Sequence, residues 1–224
     1  MSGHGLRERA QQERMARIRT AADALFEEKG YERVTTREIA ECAGVGEATL
    51  FRYFPRKSAL LLTVVGDRVT ACVDRIVEGD ARAPRGDGRS YVDRIYAVYD
   101  ERARFYAQDP VNVAAFTLVG FDDASDLAPV SISQGDRVIA LVASVVEEGR
   151  SAGVLRQDAD AEAVALNCNA AYVHEITRSP VRRFAPGTFG GRLRRRLAAQ
   201  LELLLPAPAA APAPGPTLPK ETRP

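Results

Sequence analysis

Residues 34–61 read VTTREIAECAGVGEATLFRYFPRKSALL, two short runs of helical periodicity around a three-residue break, the second run stopped by a proline. Thr35 is placed as an N-cap, because its hydroxyl can accept from an orphaned backbone N–H, and Glu38 sits three residues on as its capping-box partner. The spacing predicts a helix over 36–43. Gly44-Val45-Gly46 is the turn, since glycine tolerates the left-handed conformation that closes a helix, and Val45 between them can plug into a small core. A second helix follows over 47–54. Pro55 forbids its continuation, and the next helix begins near Arg56.

Ile39, Ala40, Ala43, Val45, Leu50 and Phe54 fall where two helices crossing at a wide angle share one core, the helix-turn-helix layout. Glu47, Ala48, Thr49, Arg52 and Tyr53 stay outside on the second helix. They are small or hydrogen-bonding groups suited to base edges and phosphates in a major groove. Upstream, Ile18, Ala21, Ala22, Leu25 and Phe26 recur at helical spacing, so a first helix buries that stripe against the pair and ends at Gly30, with Phe26 and Tyr31 in the core. Residues 1–5 read as frayed. The polar stretch 6–12 reads either as an extension of the first helix or as an arm, from which Arg7, Arg9, Arg14 and Arg17 reach a backbone or minor groove.

The order Gly30-Tyr31, Thr35-Thr36, Ile39-Ala40, Ala43-Gly44-Val45, Thr49-Leu50-Phe51, Tyr53-Phe54 and Lys57 resembles the N-terminal DNA-binding domain of TetR-family transcriptional regulators. Two positions depart from the family pattern: Gly46 stands where a serine is usual, and Phe51 where a tyrosine is usual. The first removes a hydroxyl cap and the second a phosphate-bonding OH, so Phe51 is assigned no phosphate hydrogen bond. The resemblance implies a regulator, most often a repressor, that binds a palindromic operator as a homodimer and is released by a small-molecule effector. Thr36, Arg37, Glu47 and Ala48 are expected at the double-stranded DNA, together with Thr49, Arg52, Tyr53 and Lys57. Arg52 and Thr49 suit base reading; Thr36, Tyr53 and Lys57 suit phosphates.

The rest of the chain continues the helical pattern, so the fold class is all-α: an N-terminal three-helix helix-turn-helix domain over 1–57 and a C-terminal helical bundle over 58–205, about nine helices in total. The fourth helix, about 56–77, carries Lys57 in its first turn. A cation there opposes the macrodipole, an arrangement that makes sense if a phosphate is shared with the free N–H groups. Its wide apolar face, from Leu60 to Val73, makes it the mechanical link between the two parts. The Gly/Pro/Asp-rich run 79–88 reads as a loop. Further helices are expected over 89–108, from Asp109-Pro110 to 119, over 129–151, 161–178 and 189–205.

The eighth of these, with Ala165 and Cys168 among its small residues, lies next in sequence to a last helix whose Leu193, Leu197, Leu201 and Leu204 form an apolar seam. By the resemblance, these pack against their symmetry copies as a four-helix dimer interface; the alternative is that both stripes bury within one chain. The resemblance also implies a ligand pocket in the bundle, for which Tyr99, Phe105, Phe116, Phe121 and Tyr172 are the natural lining and Asn167, Asn169 and His174 the polar handles. Residues 206–224 are Pro/Ala-rich and read as a solvated tail.

Composition bounds the alternatives. The chain has 224 residues, 46% of them apolar, and a formal net charge of only +1, so any nucleic-acid reading rests on a local surface. Residues 1–57 hold eleven Lys and Arg against nine Asp and Glu, an excess of two. No apolar run approaches the roughly 20 residues of a membrane span, and no signal-peptide core is present, which points to the cytoplasm. Three cysteines without metal-ligand spacing fit a reducing compartment. With two histidines, no nucleophile elbow and no phosphate loop, catalysis is not expected, and neither is a cofactor or a metal. Adjacent carboxylates such as Asp122-Asp123 and Glu147-Glu148 read as solvated. The rival function is a helical small-molecule-binding or protein-interaction module without sequence-specific DNA binding.

Overall fold

A computed structural model of the chain describes residues 3–120, 128–185 and 187–206. Phe121, the Asp122-Asp123 pair, residues 1–2 and the tail beyond Pro206 lie outside the described residues. Among those described there are nine α-helices and no strand. They are α1 (Gly3–Lys29), α2 (Thr36–Ala43), α3 (Glu47–Tyr53), α4 (Lys57–Ala81), α5 (Gly88–Gln108), α6 (Pro110–Val119), α7 (Ala128–Ser151), α8 (Ala161–Arg182) and α9 (Phe189–Leu201), with short 3₁₀ turns at Tyr31–Arg33 and Glu202–Leu204. None of these helices is long and apolar enough to cross a membrane.

The head forms as its sequence dictates. The Thr35 hydroxyl accepts from the Glu38 N–H at 3.2 Å, and the Glu38 carboxylate accepts from the Thr35 N–H at 2.8 Å, a complete capping box. Gly44 takes φ 63°, the left-handed closure a side chain would resist, and Val45 N–H bonds back to Ala40 O at 3.0 Å. Ile18, Phe26, Ile39 and Leu50 are fully buried between α1, α2 and α3. Gly46 begins α3 with no side-chain cap. The stretch 6–12 is helical and continues α1 rather than forming an arm.

Lys29 also donates to Glu38, at 2.9 Å. With this bond and those from Thr35, the Glu38 carboxyl falls from its ordinary 4.5 to about 2. A depressed folded-state pKa gives stability that is fully present above the unfolded value and is lost as the pH falls through the folded one. Thermal melts by circular dichroism should therefore show wild type ahead of Glu38→Gln near neutrality, the gap closing between about pH 5 and pH 2. A constant gap would show that this carboxylate carries no linked stability.

α4 buries one end against α1 and the other against α5, α6 and α7, so the head and bundle share one continuous apolar core. Leu60, Leu61 and Val65 on its inner face have no exposure at all. The helix runs past the expected loop start, placing Asp80 in its last turn, where the Arg94 guanidinium holds it with two bonds of 2.8 Å; Asp87 then caps α5. α8 likewise runs beyond residue 178 through Pro180, which sits so near the end that little helix remains to be disrupted, and Arg183 closes it at φ 49°.

The expected intermolecular seam is intramolecular. Leu193, Leu197, Leu201 and Leu204, with Ala165 and Cys168, are each at most 4% exposed within a single chain. α9 lies against α5 and α8 and turns its leucines onto them, so these side chains cannot be offered to a second copy without unpacking the bundle. Leu166, Asn167, Ala170 and His174 of α8, Ala199 of α9 and Leu203 of the following 3₁₀ turn are exposed.

Candidate functional site

On α3, Leu50 points into the core, while Glu47, Ala48, Phe51 and Arg52 are exposed and Thr49 and Tyr53 are half-buried. Seven residues make just under two turns, and only one face of them is needed for packing. The remaining face is organised by its own contacts. The Thr36 hydroxyl donates to the Glu47 carboxylate at 2.9 Å, joining α2 to the start of α3. Arg37 pairs with Glu41 one turn on at 2.9 Å, both exposed. The Arg52 guanidinium lies 5.2 Å from the Tyr53 ring centroid, and the Arg14 guanidinium beside the Tyr53 hydroxyl holds its pKa below the ordinary phenol value. Phe51, given no phosphate role from sequence, is 42% exposed on the outward surface, where an apolar ring suits a thymine methyl.

Lys57 departs from expectation. Its ammonium donates to Tyr31 O at 2.9 Å and to Val34 O at 3.0 Å, and it lies 4.3 Å from the Tyr31 ring centroid. Two of its three N–H groups close the 3₁₀ turn onto α4. Its first task is therefore to brace the head, the carbonyls taking the place expected for a phosphate.

That same turn meets the bundle through Asn112. Its amide oxygen accepts from Tyr31 N–H at 2.8 Å, and its amide nitrogen donates to Phe26 O at 2.8 Å and to Asp109 at 3.0 Å. Arg68 of α4 donates to the same Asp109 at 2.8 Å. Asn112 is 1% exposed, so these bonds are made without competition from water. α1, α4 and α6 thus share a polar joint at the base of the head.

The turn of α6 after Asn112 faces a cavity of about 230 Å³. Val113, Phe116 and Thr117 from α6, Val69 and Val73 from α4, and Ile139 from α7 form much of its wall, with Arg102, Phe105, Asn169 and Tyr172 from α5 and α8. Four of the eight residues expected from sequence, Phe105, Phe116, Asn169 and Tyr172, are therefore brought together here. Tyr99 stands behind Tyr172, ring centroids 6.3 Å apart, and does not line the cavity. Its hydroxyl is buried, and burial pushes its pKa up against the opposing pull of the nearby Arg102 guanidinium. Asn167 and His174 do not reach the cavity either: α8 turns them outward to solvent, one face away from Asn169. On the opposite side of α6 lies a second, open cleft bounded by Val111, Leu118, Tyr106, Phe184 and Phe189.

Asn112 and Arg102 escaped the sequence reading. The signal for the first was present: a single amide in the otherwise apolar run PVNVAAF is costly to bury without partners. Arg102 is one of 31 Lys and Arg residues and carries no comparable mark.

The family model for bacterial regulatory proteins of the tetR family matches residues 18–64. The HTH-type transcriptional repressor KstR of Rhodococcus jostii is 37% identical over 122 residues, 54% of this chain and 54% of that protein. KstR of Mycobacterium tuberculosis is 31% identical over 150 residues, 66% of this chain and 64% of that one. The chain thus spans about half to two thirds of these two relatives. Among solved structures, Thermus thermophilus FadR, described as a TetR-family transcriptional repressor in complex with lauroyl-CoA, superposes with a TM-score of 0.67 at 25% identity, covering 89% of this chain and 98% of that one. Bacillus subtilis FadR, solved with stearoyl-CoA, shares the fold with a TM-score of 0.63 at 18% identity, covering 85% and 97%.

Proposed function

We propose that this chain, which belongs to the tetR family of bacterial regulatory proteins, is a ligand-responsive transcriptional repressor that binds a palindromic operator as a homodimer. The observation that carries the reading is the outward face of α3, held on a buried helix-turn-helix core and made of groups that fit a major groove. Arg52, Thr49 and Phe51 read bases; Thr36, Arg37 and Tyr53 hold phosphates. The two copies meet through the outward faces of α8, α9 and the 3₁₀ turn that follows, where Leu166 of α8 and Leu203 of the turn are 48% and 64% exposed. Gln200 donates to the Cys168 sulfur at 3.0 Å, which joins the first half of α8 to the end of α9.

Selection of bound sequences from a random DNA pool tests this directly. The expected site is an inverted repeat with half-site centres about 34–36 Å apart or a multiple of that. A protein-interaction head would recover no enriched sequence and would show no steep salt dependence on any duplex. On the selected site, Arg52→Ala should reduce discrimination against single-base variants by roughly 1–3 kcal/mol, read from binding isotherms. Equal weakening on every sequence would assign Arg52 to the backbone instead.

The effector site is the cavity between α4, α5, α6, α7 and α8, and the acyl-CoA named for the Thermus relative gives the first class to try. Coupling runs through α6. A ligand against Val113 and Phe116 acts one turn from Asn112, whose bonds to α1 and the 3₁₀ turn fix the head, and α4 carries the same shift from its cavity side. The ligand moves the equilibrium only by as much as it prefers the released arrangement.

A further inference from the structure

Most arginines that enter this bundle are answered by carboxylates. Arg94 meets Asp80 and Glu148, and Arg192 and Arg196 meet Glu175 at 2.9 and 2.6 Å. Arg102 is different. Its guanidinium lies 3.6 Å from the Tyr172 ring centroid and 5.6 Å from that of Tyr99, and it donates a hydrogen bond of 2.9 Å to the neutral amide oxygen of Asn169, with the Tyr99 and Tyr172 hydroxyls as its other polar neighbours. Among the described residues no carboxylate comes within ion-pair distance of it. Asp136 lines the same cavity without reaching it.

A guanidinium offers five N–H donors in a planar fork, and Asn169 takes one of them. The remaining donors belong to a half-buried side chain that lines the cavity with no carboxylate among the described residues to answer it, so an acceptor oxygen entering there meets a charged donor. The rest of the cavity wall is largely apolar, from Val69, Val73, Phe105, Phe116 and Ile139. Tyr172 and Asn169 hold the fork in place in the wall of that apolar space, which is how a planar cation is prepared for an acyl oxygen.

We propose that the effector is an acyl compound whose hydrocarbon body fills this cavity and whose acyl head, the carboxylate of a free acid or the carbonyl oxygen of a thioester, is bound by Arg102. The proposal rests on the reading of this cavity as the effector site. Arg102 is then the residue that separates an acid from an alcohol or amine of equal length.

The test is calorimetric titration of decanoate, decanol and decylamine into the full chain, with Arg102→Gln and Arg102→Lys beside wild type and the fold of each variant checked by its melt. Wild type should bind decanoate at least about tenfold more tightly than decanol, the scale of a hydrogen bond to a charged group. Arg102→Gln should bind decanol as wild type does and lose the preference for the acid, while Arg102→Lys, with the charge but not the fork, keeps part of it. Equal binding of acid and alcohol by wild type, preference for the amine, survival of the acid preference in Arg102→Gln, or no binding of any probe overturns the proposal. An acid preference that depends on Arg102 but leaves operator affinity untouched would sustain this assignment and refute the effector reading. Release of operator by acid and alcohol alike would do the reverse.

Discussion

Replacing Arg94 with alanine should cost this protein about 3–5 kcal/mol of stability. Its side chain is 1% exposed and is held by three bonds of 2.8 Å, two to Asp80 and one to Glu148. The Asp80 side chain is itself only 8% exposed, so losing the guanidinium strands a carboxylate with little access to water. Glu148, whose pKa the Arg94 bond holds below the usual carboxylate value, is more exposed and can recover solvation. For a chain of this size the loss corresponds to a fall of roughly 6–20 °C in Tm. Adding Asp80→Asn should recover part of it, because the stranded charge is then gone. A Tm within about 2 °C of wild type for Arg94→Ala would mean that the pair contributes nothing net.

Asn112→Leu is expected to act on stability and on signalling together. Leucine retains the volume but leaves the Tyr31 N–H without an acceptor and removes the amide donor from Phe26 O and Asp109. Each buried group left unmatched costs about 1–3 kcal/mol; since Phe26 O keeps its bond from the Gly30 N–H, the total should lie near 2–4 kcal/mol. The second effect separates a joint from a mere core contact. Coupling between two sites typically amounts to about 1–3 kcal/mol, which for an effector of the proposed repressor is a 5–150-fold change in operator affinity. In Asn112→Leu the effector should still bind the cavity, while that change shrinks toward unity. Undiminished coupling in a destabilised variant would leave Asn112 as packing and put transmission on α4 alone.

The head was legible because its signals are local: Thr35 with Glu38, Gly44 at the turn and Pro55 at the stop each act on backbone groups a few residues away. The order of the remaining helices was legible for the same reason, down to Asp109-Pro110 at the start of α6. What escaped depends on which way a helix faces. Asn167 and Asn169 are equivalent in sequence, yet a two-residue step turns one to solvent and the other to Arg102. The leucine seam of α9 was visible, but a seam does not say whether its partner lies in the same chain, and here α5 and α8 cover it. Lys57 was correctly singled out as anomalous at a helix start. Its partners, Tyr31 O and Val34 O, lie more than twenty residues earlier, beyond the range of any local pattern.

Ligand-responsive operator binding implies reciprocity: if the effector weakens DNA binding, DNA must weaken effector binding by the same factor. Titration of lauroyl-CoA into the chain, alone and saturated with its selected duplex, measures that factor directly. The expected result is a Kd for lauroyl-CoA raised by about 5–150-fold on the duplex, equal to the loss of operator affinity measured with lauroyl-CoA present. Tight binding of lauroyl-CoA with the same Kd in both titrations would contradict the account, because cavity and reading head would then be energetically independent.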